Sequence, residues 1–357
     1  MITTSNYSGR KTHIDFLRII AIFMVLFNHT GTNGFVLYTI ARESLFYPLY
    51  LFNAIFIKIA VPLFFMITGA LLLNREEPIK KIVKDRFLKY AIVLLVSSAI
   101  MYVYYLRSSL QELSLVQFAE KLYTSRHSVA LWYLYAYLAY LLMLPFLRKM
   151  ARNMTNAEYK WMFCLYGAMK VLSIIDFLIW KGEAGHNGHF AFFVMTDYVF
   201  YPLMGYYVEH RLKEKDFNWK NLLTMSLLSF AAIVICCWLS HYRSTLLDAW
   251  KENNCQTFFN TLIFLPTVTV YYAAKMLFMR NKFNGKVRRF LATLGDTTFG
   301  LYLLEAICRT ETKPIFDYLR PMLHTLPACW IWITIACAFG MVITYFLKKI
   351  PGIRKFI

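Results

Sequence analysis

Two side chains in the first apolar stretch carry chemistry that a purely lipid-facing helix does not need: Arg18 and His29, eleven residues apart. Histidine exchanges a proton near neutral pH and is the commonest general acid or base. Arginine grips carboxylate or phosphate with a planar fork of donors. Eleven helical residues make three turns plus roughly 20° and rise roughly 16 Å, so the two side chains share a face at different depths. Asp15, Arg18, Ile22, Val25 and His29 continue that face as one stripe, which packed helices bury together. In a structural reading, Asp15 pairs with Arg18 near the membrane surface and His29 makes a single interhelical hydrogen bond. In a functional reading, the stripe lines a channel with a cation at its mouth and an acid/base deeper inside.

Other ionisable residues lie inside apolar runs, where each costs about 2.5 to 3.5 kcal/mol at mid-bilayer and so points to a cavity or a partner. Thr298, Tyr302 and Glu305 follow i, i+4, i+7 spacing in Gly295-Asp296-Thr297-Thr298-Phe299-Gly300-Leu301-Tyr302-Leu303-Leu304-Glu305 and share a helix face. Counted inward from the span boundaries, Glu305 and His29 reach similar depths and can pair across the bundle. The structural alternative is a protonated Glu305 bonded to a carbonyl. Lys58 precedes Val61-Pro62-Leu63-Phe64-Phe65-Met66-Ile67-Thr68-Gly69 and either meets water or snorkels. Lys170 and Asp176 are about 120° out of phase, need not meet, and read as structural. Lys282, Lys286, Arg288 and Arg289 cluster before the run that holds Glu305, either to set orientation and touch anionic lipid or to hold a phosphate. The seven cysteines, mostly within apolar runs, read as buried small hydrophobes; their spacing suggests neither a disulfide framework nor a metal site.

The elements that position these residues are membrane helices. A chain of 357 residues that is 59% hydrophobic and 17% charged, with mean hydropathy +0.46, is too apolar for one soluble core. Its 39 Lys+Arg against 20 Asp+Glu leave a net +19, with no separate basic block to suggest nucleic-acid binding. Runs near the ~20 residues needed to cross a bilayer predict an all-α polytopic protein of ten transmembrane helices. They are Ile14–Phe35, Phe46–Leu73, Phe87–Leu106, Ala130–Leu147, Tyr159–Trp180, Ala191–Val208, Leu222–Ser240, Thr257–Phe278, Phe290–Cys308 and Leu326–Leu347. Alternate connections then hold 26 Lys and Arg on one side against 10 on the other, which makes the richer side and both termini cytoplasmic. Asp15 and Arg18 interrupt the first run, and Asn28-His29-Thr30-Gly31 lacks a cleavage pattern, so it is a helix and not a signal peptide. No repeat or linker is visible, and residues 1–357 read as a single domain. Ser109-x-x-Glu112 reads as a capping box opening an interfacial helix through Leu113, Val116 and Leu122.

Taken in order, these segments resemble acyltransferase family 3. Asp15-Phe16-Leu17-Arg18-Ile19-Ile20-Ala21 with His29 is similar to that family's first-helix signature, and Val61 to Gly69 to its proline-aromatic motif, with Lys58 at a commonly basic position. Leu131-Trp132-Tyr133-Leu134 resembles its fourth-helix element, and Gly295 to Leu304 its late glycine-aromatic segment. Glu305 stands where many members carry His, and Thr298 where they carry Ser. The resemblance implies a multi-pass plasma-membrane enzyme that moves a short acyl group, most often acetyl from acetyl-CoA, to a hydroxyl of a cell-surface glycan or lipid-linked saccharide, with no metal and no nucleic-acid partner. Arg18, Lys286, Arg288 and Arg289 would hold the CoA phosphates and His29 would act as general base or, alternatively, carry the acyl group. Glu305 would orient His29, while Trp132, Tyr133, Tyr302 and Lys58 would line the substrate pocket. No appended hydrolase-like domain of the kind some members carry is visible. A transporter of a glycan or small solute is the alternative, although paired interrupted helices in two matching halves are not evident.

Overall fold

Helix α1 (Thr12–Asn28) is wrapped on every side: Leu17, Ala21, Ile22, Leu26 and Phe27 are fully buried. The chain is seen in a computed structural model that describes residues 10–181, 185–187, 196–248, 250, 255–281 and 283–357. All regular structure among these residues is helical. The expected run Ala191–Val208 begins outside the described residues, and Lys282 also lies outside them.

After α1 come α2 (Tyr47–Ile57) and α3 (Ala60–Leu72), one apolar run bent at Lys58. The bend has a local cause. Pro62 has no N–H to give the Lys58 carbonyl four residues back, and its ring crowds that carbonyl. The turn instead closes with Lys58 and Ile59 donating to Ile55 and Phe56. A turn of π-helix, Ile82–Phe87, leads into α4 (Leu88–Tyr105). The capping box expected at Ser109 does not form. Leu110–Glu112 is an isolated turn, Leu113 reverts to extended backbone, and Ser114 caps α5 (Leu115–Thr124) by accepting from the Gln117 N–H. Leu115, Val116 and Tyr123 remain exposed on α5, as an interfacial helix requires.

The chain continues with α6 (Trp132–Asn153) and α7 (Asn156–Trp180), the latter opened by a reciprocal Thr155–Glu158 capping box. Then come α8 (Asp197–Tyr206), α9 (Trp219–Leu246), α10 (Phe264–Arg280), α11 (Gly285–Glu311), α12 (Lys313–Leu319) and α13 (Thr325–Leu347). Asn218 and Asn284 cap α9 and α11.

Six segments among the described residues are long and apolar enough to cross a membrane: Tyr47–Leu72, Ile79–Tyr105, Val129–Asn153, Asn156–Trp180, Trp219–Leu246 and Thr325–Leu347. The other four expected spans coincide with α1, α8, α10 and α11. Of these, α1, α8 and α10 are shorter, and α11 carries Asp296, Glu305 and Arg309.

Close crossings hold the bundle together. α3 and α8 touch through Gly69 and Gly205: a Cβ on either would strike the backbone of Pro202 or Met66 on the opposite helix. α1 packs against α3, α10, α11 and α13. Two carboxylates tie helix ends to loops. Glu77, between α3 and the π turn, accepts from Arg86 at 2.6 and 3.0 Å and from Arg148 at 2.8 Å. The Arg86 bonds first, and then Arg148 against the opposing effect of burial, bring the Glu77 carboxyl down to about 2. Glu209, just past α8, is ringed by Lys11 at 2.8 Å, His13 at 3.0 Å, the Tyr271 hydroxyl at 3.0 Å and Lys275 at 3.8 Å.

Candidate active site

His29 caps the C-terminal end of α1, and Glu305 lies within the last two turns of α11. The two helices approach closely because residue 295 is glycine: a Cβ there would lie 2.7 Å from an Asp15 oxygen. The two side chains meet, with His29 Nδ1 3.3 Å from Glu305 Oε1. On the far side of the carboxylate, Arg309 Nε stands 3.6 Å from Glu305 Oε2. The Glu305 oxygens, His29 Nδ1 and Arg309 Nε are buried, and none of their contacts meets hydrogen-bond geometry. They form a loose polar chain, of the kind whose bonds tighten when a ligand binds. With Nδ1 turned toward Glu305, Nε2 is the nitrogen His29 can offer a substrate.

That substrate has room. A cavity of about 1040 Å³ is lined by His29, by Val25 and Arg18 of the same helix, and by side chains at both ends of the bundle. Ile22, the remaining apolar member of the predicted stripe, packs into the core. One end of the cavity is basic, lined by Arg18, Arg75, Arg86, Lys89 and Lys348 against Asp296. Asp15 is shared between Arg10, at 2.6 Å, and Arg18, at 3.4 Å, so Arg18 is held at the cavity wall by only a partial partner. Lys348 donates to the Asp296 carbonyl. Burial first, and then the positive neighbours Arg10, Arg354 and Arg18 against the pull of Asp296, push the Lys348 amine below its ordinary range, as happens where cations crowd.

Between this end and His29 the wall is aromatic. The ring centroids of Tyr90 and Tyr137 lie 4.9 Å apart, those of Tyr133 and Tyr137 6.2 Å and those of Tyr133 and Tyr302 5.9 Å. Tyr302 is fixed by donating to the Ala130 carbonyl at 2.7 Å, and Thr298 by bonding back to Gly295. The opposite end is lined by Lys58, Trp132, His186, Asp197 and Asn260. Lys58 donates to Gln256 at 3.3 Å and sits 4.4 Å from the Phe35 ring centroid.

Arg18, His29, Lys58, Trp132, Tyr133 and Tyr302 therefore line one cavity, with Glu305 directly behind His29. Lys286, Arg288 and Arg289 do not line it; all three are exposed, and Arg288 points its Nε to the Thr12 hydroxyl. Lys170 and Asp176 do not meet: Lys170 pairs with Asp197 at 3.1 Å and Asp176 with His186 at 2.6 Å. The basic end contains Arg75, Arg86, Lys89 and Lys348, which sequence reasoning counted only as orientation charges. Arg309 carried a readable signal, since it stands four residues after Glu305 on one helix face.

Searches of curated proteins and of solved structures return no match. A family model for the acyltransferase 3 domain does match, over residues 12–349, and so takes in α1, α11 and every cavity-lining residue named above. The chain belongs to acyltransferase family 3.

Proposed function

We propose that this membrane acyltransferase moves an acetyl or other short acyl group from acyl-CoA to a hydroxyl of a cell-surface glycan or lipid-linked saccharide. The observation that carries this reading is a single cavity joining a cluster of cations to the His29–Glu305 pair. In this reading α1, α8, α10 and α11 complete ten spans in the plasma membrane, and both termini are cytoplasmic. The basic end then faces the cytoplasm, where acyl-CoA is found.

The phosphates of the donor sit among Arg18, Arg75, Lys89 and Lys348, whose positive charges lack full carboxylate partners among the described residues. Arg86 lines the same end but is committed to Glu77. The thin pantetheine arm runs along the tyrosine wall toward His29, about 16 Å of helix rise from Arg18. The acceptor reaches His29 from the Lys58 end. His29 Nε2 takes the hydroxyl proton as the oxygen attacks the thioester carbonyl carbon. The tetrahedral intermediate collapses with cleavage of the carbon–sulfur bond, and the imidazolium returns the proton to the departing thiolate. Glu305, held by Arg309, orients the ring and stabilises the imidazolium.

Incubating the purified protein with labelled acetyl-CoA and a saccharide acceptor tests the reading. His29→Ala should fold normally yet lose about 10²- to 10⁴-fold in transfer. Wild-type transfer by that variant removes His29 from the chemistry. Acceptor flux across vesicles without loss of the acyl label favours a transporter instead.

A further inference from the structure

Next to the Lys58 end of the main cavity is a second pocket of about 360 Å³, the size for a single sugar residue, lined by Lys170, Asp176, Phe177, Arg243 and Asn260 among others. Asn260 also lines the main cavity, so the two spaces adjoin. The charges around the second pocket pair off with one exception. Lys170 is 3.1 Å from Asp197, and Asp176 is occupied by His186 through both its backbone N–H at 3.1 Å and its ring at 2.6 Å. Arg243 has no carboxylate at ion-pair distance among the described residues, and its buried Nε has no hydrogen-bond partner. Its guanidinium carbon lies 5.6 Å from the centroid of the Phe177 ring. The last turn of α9 favours a cation of any kind. That preference does not account for a guanidinium that lines a pocket with no carboxylate beside it and its buried Nε unpaired, which is costly unless an anion compensates the charge.

We propose that this pocket binds an anionic group of the acyl acceptor, a sugar carboxylate or a sugar phosphate, on the Arg243 fork. The inference rests on the reading that the acceptor arrives from the Lys58 end. It makes the acceptor an acidic saccharide and Arg243 the residue that selects it. A planar guanidinium matches either anion in a bidentate manner.

Equilibrium binding tests it without depending on acyl transfer. Full-length protein in detergent is titrated calorimetrically with three disaccharides of one linkage, ending in a hexuronic acid, a hexose phosphate or a neutral hexose. The expected result is at least tenfold tighter binding of one or both acids than of the neutral sugar, and the tighter acid identifies the source of the anion. Arg243→Gln should erase the preference and Arg243→Lys keep part of it. Equal binding of acidic and neutral sugars, no measurable binding of either acid, or a preference that survives in Arg243→Gln overturns the proposal. If Arg243→Gln does not fold, the wild-type comparison alone decides. A clear acid preference without His29-dependent thioester loss would sink the transferase reading and leave only the anion site on Arg243 standing.

Discussion

In the proposed reaction Glu305 acts only through His29, because it is fully buried behind the ring and does not line the cavity. Its effect should therefore appear in turnover more than in substrate binding. Glu305→Gln keeps the shape but not the charge, and should lower kcat by at least about tenfold with little change in KM. Glu305→Leu, which also strands Arg309, should be worse and should alter the pH dependence of kcat. Equal activity in wild type and both variants would reduce Glu305 to packing. At this scale much was legible. The eleven-residue step from Arg18 to His29 and the i, i+4, i+7 face ending in Glu305 are consequences of 3.6 residues per turn, which a sequence displays directly. The meeting of His29 with Glu305 follows from their similar depth. Arg243 was not legible, because what marks it is an unpaired buried atom, and burial belongs to the packed bundle and not to the chain.

Among the elements, departures from regular helix coincide with cavity walls. Pro62 bends the α2–α3 run and brings Lys58 to the cavity, and the π turn before α4 carries Arg86 to its basic end. Proline is visible in sequence. A π turn is not, nor is the three-way bond by which Glu77 staples it to α6. Arg148 is only 5% exposed, so Glu77→Gln leaves a buried guanidinium without its counter-charge and should cost on the order of 3 kcal/mol. Because the Glu77 carboxyl is lowered from 4.5 to about 2, its stabilisation is complete above 4.5 and fades as pH falls toward 2. Thermal melts in detergent should show a gap of several degrees between wild type and Glu77→Gln near neutral pH, and the gap should close on acidification through that window. A constant gap would mean the variant disturbs packing rather than charge. The sequence points to Ser109 instead of the actual cap of α5, Ser114, because both are followed by polar residues at capping distance, and only the extended Leu113 decides between them.

For the whole molecule, the +19 charge divides into exposed and cavity-facing cations that composition cannot separate. Arg288 and Arg289 are exposed outside the cavity, whereas Arg18, Arg75, Lys89 and Lys348 face into it. Arg18→Gln or Lys348→Gln should raise the KM for acetyl-CoA about tenfold, and the loss should resemble that caused by raising salt. The double change Arg288→Gln and Arg289→Gln should leave that KM near its wild-type value. A larger KM effect from the double change than from Arg18→Gln would return the phosphate site to the exposed cluster. The all-helical class was legible from hydropathy alone. Hydropathy could not show which cations turn inward, since an arginine at a helix end reads the same whether it meets lipid headgroups or a cavity.

The Gly69–Gly205 crossing sets the mechanical character of the molecule. Where two backbones touch with no side chain between them, no rotamer can shift to absorb strain, and α3 and α8 must move as a single stiff beam. Both helices form cavity wall, through Phe65, Thr68 and Leu71 on one and Asp197, Tyr198 and Tyr201 on the other. That wall cannot give way when a bulky acceptor enters or leaves. Compliance must come from the wall of α4 and α6, where tyrosine side chains and not bare backbones meet, so each turnover flexes the enzyme away from the α3–α8 pair.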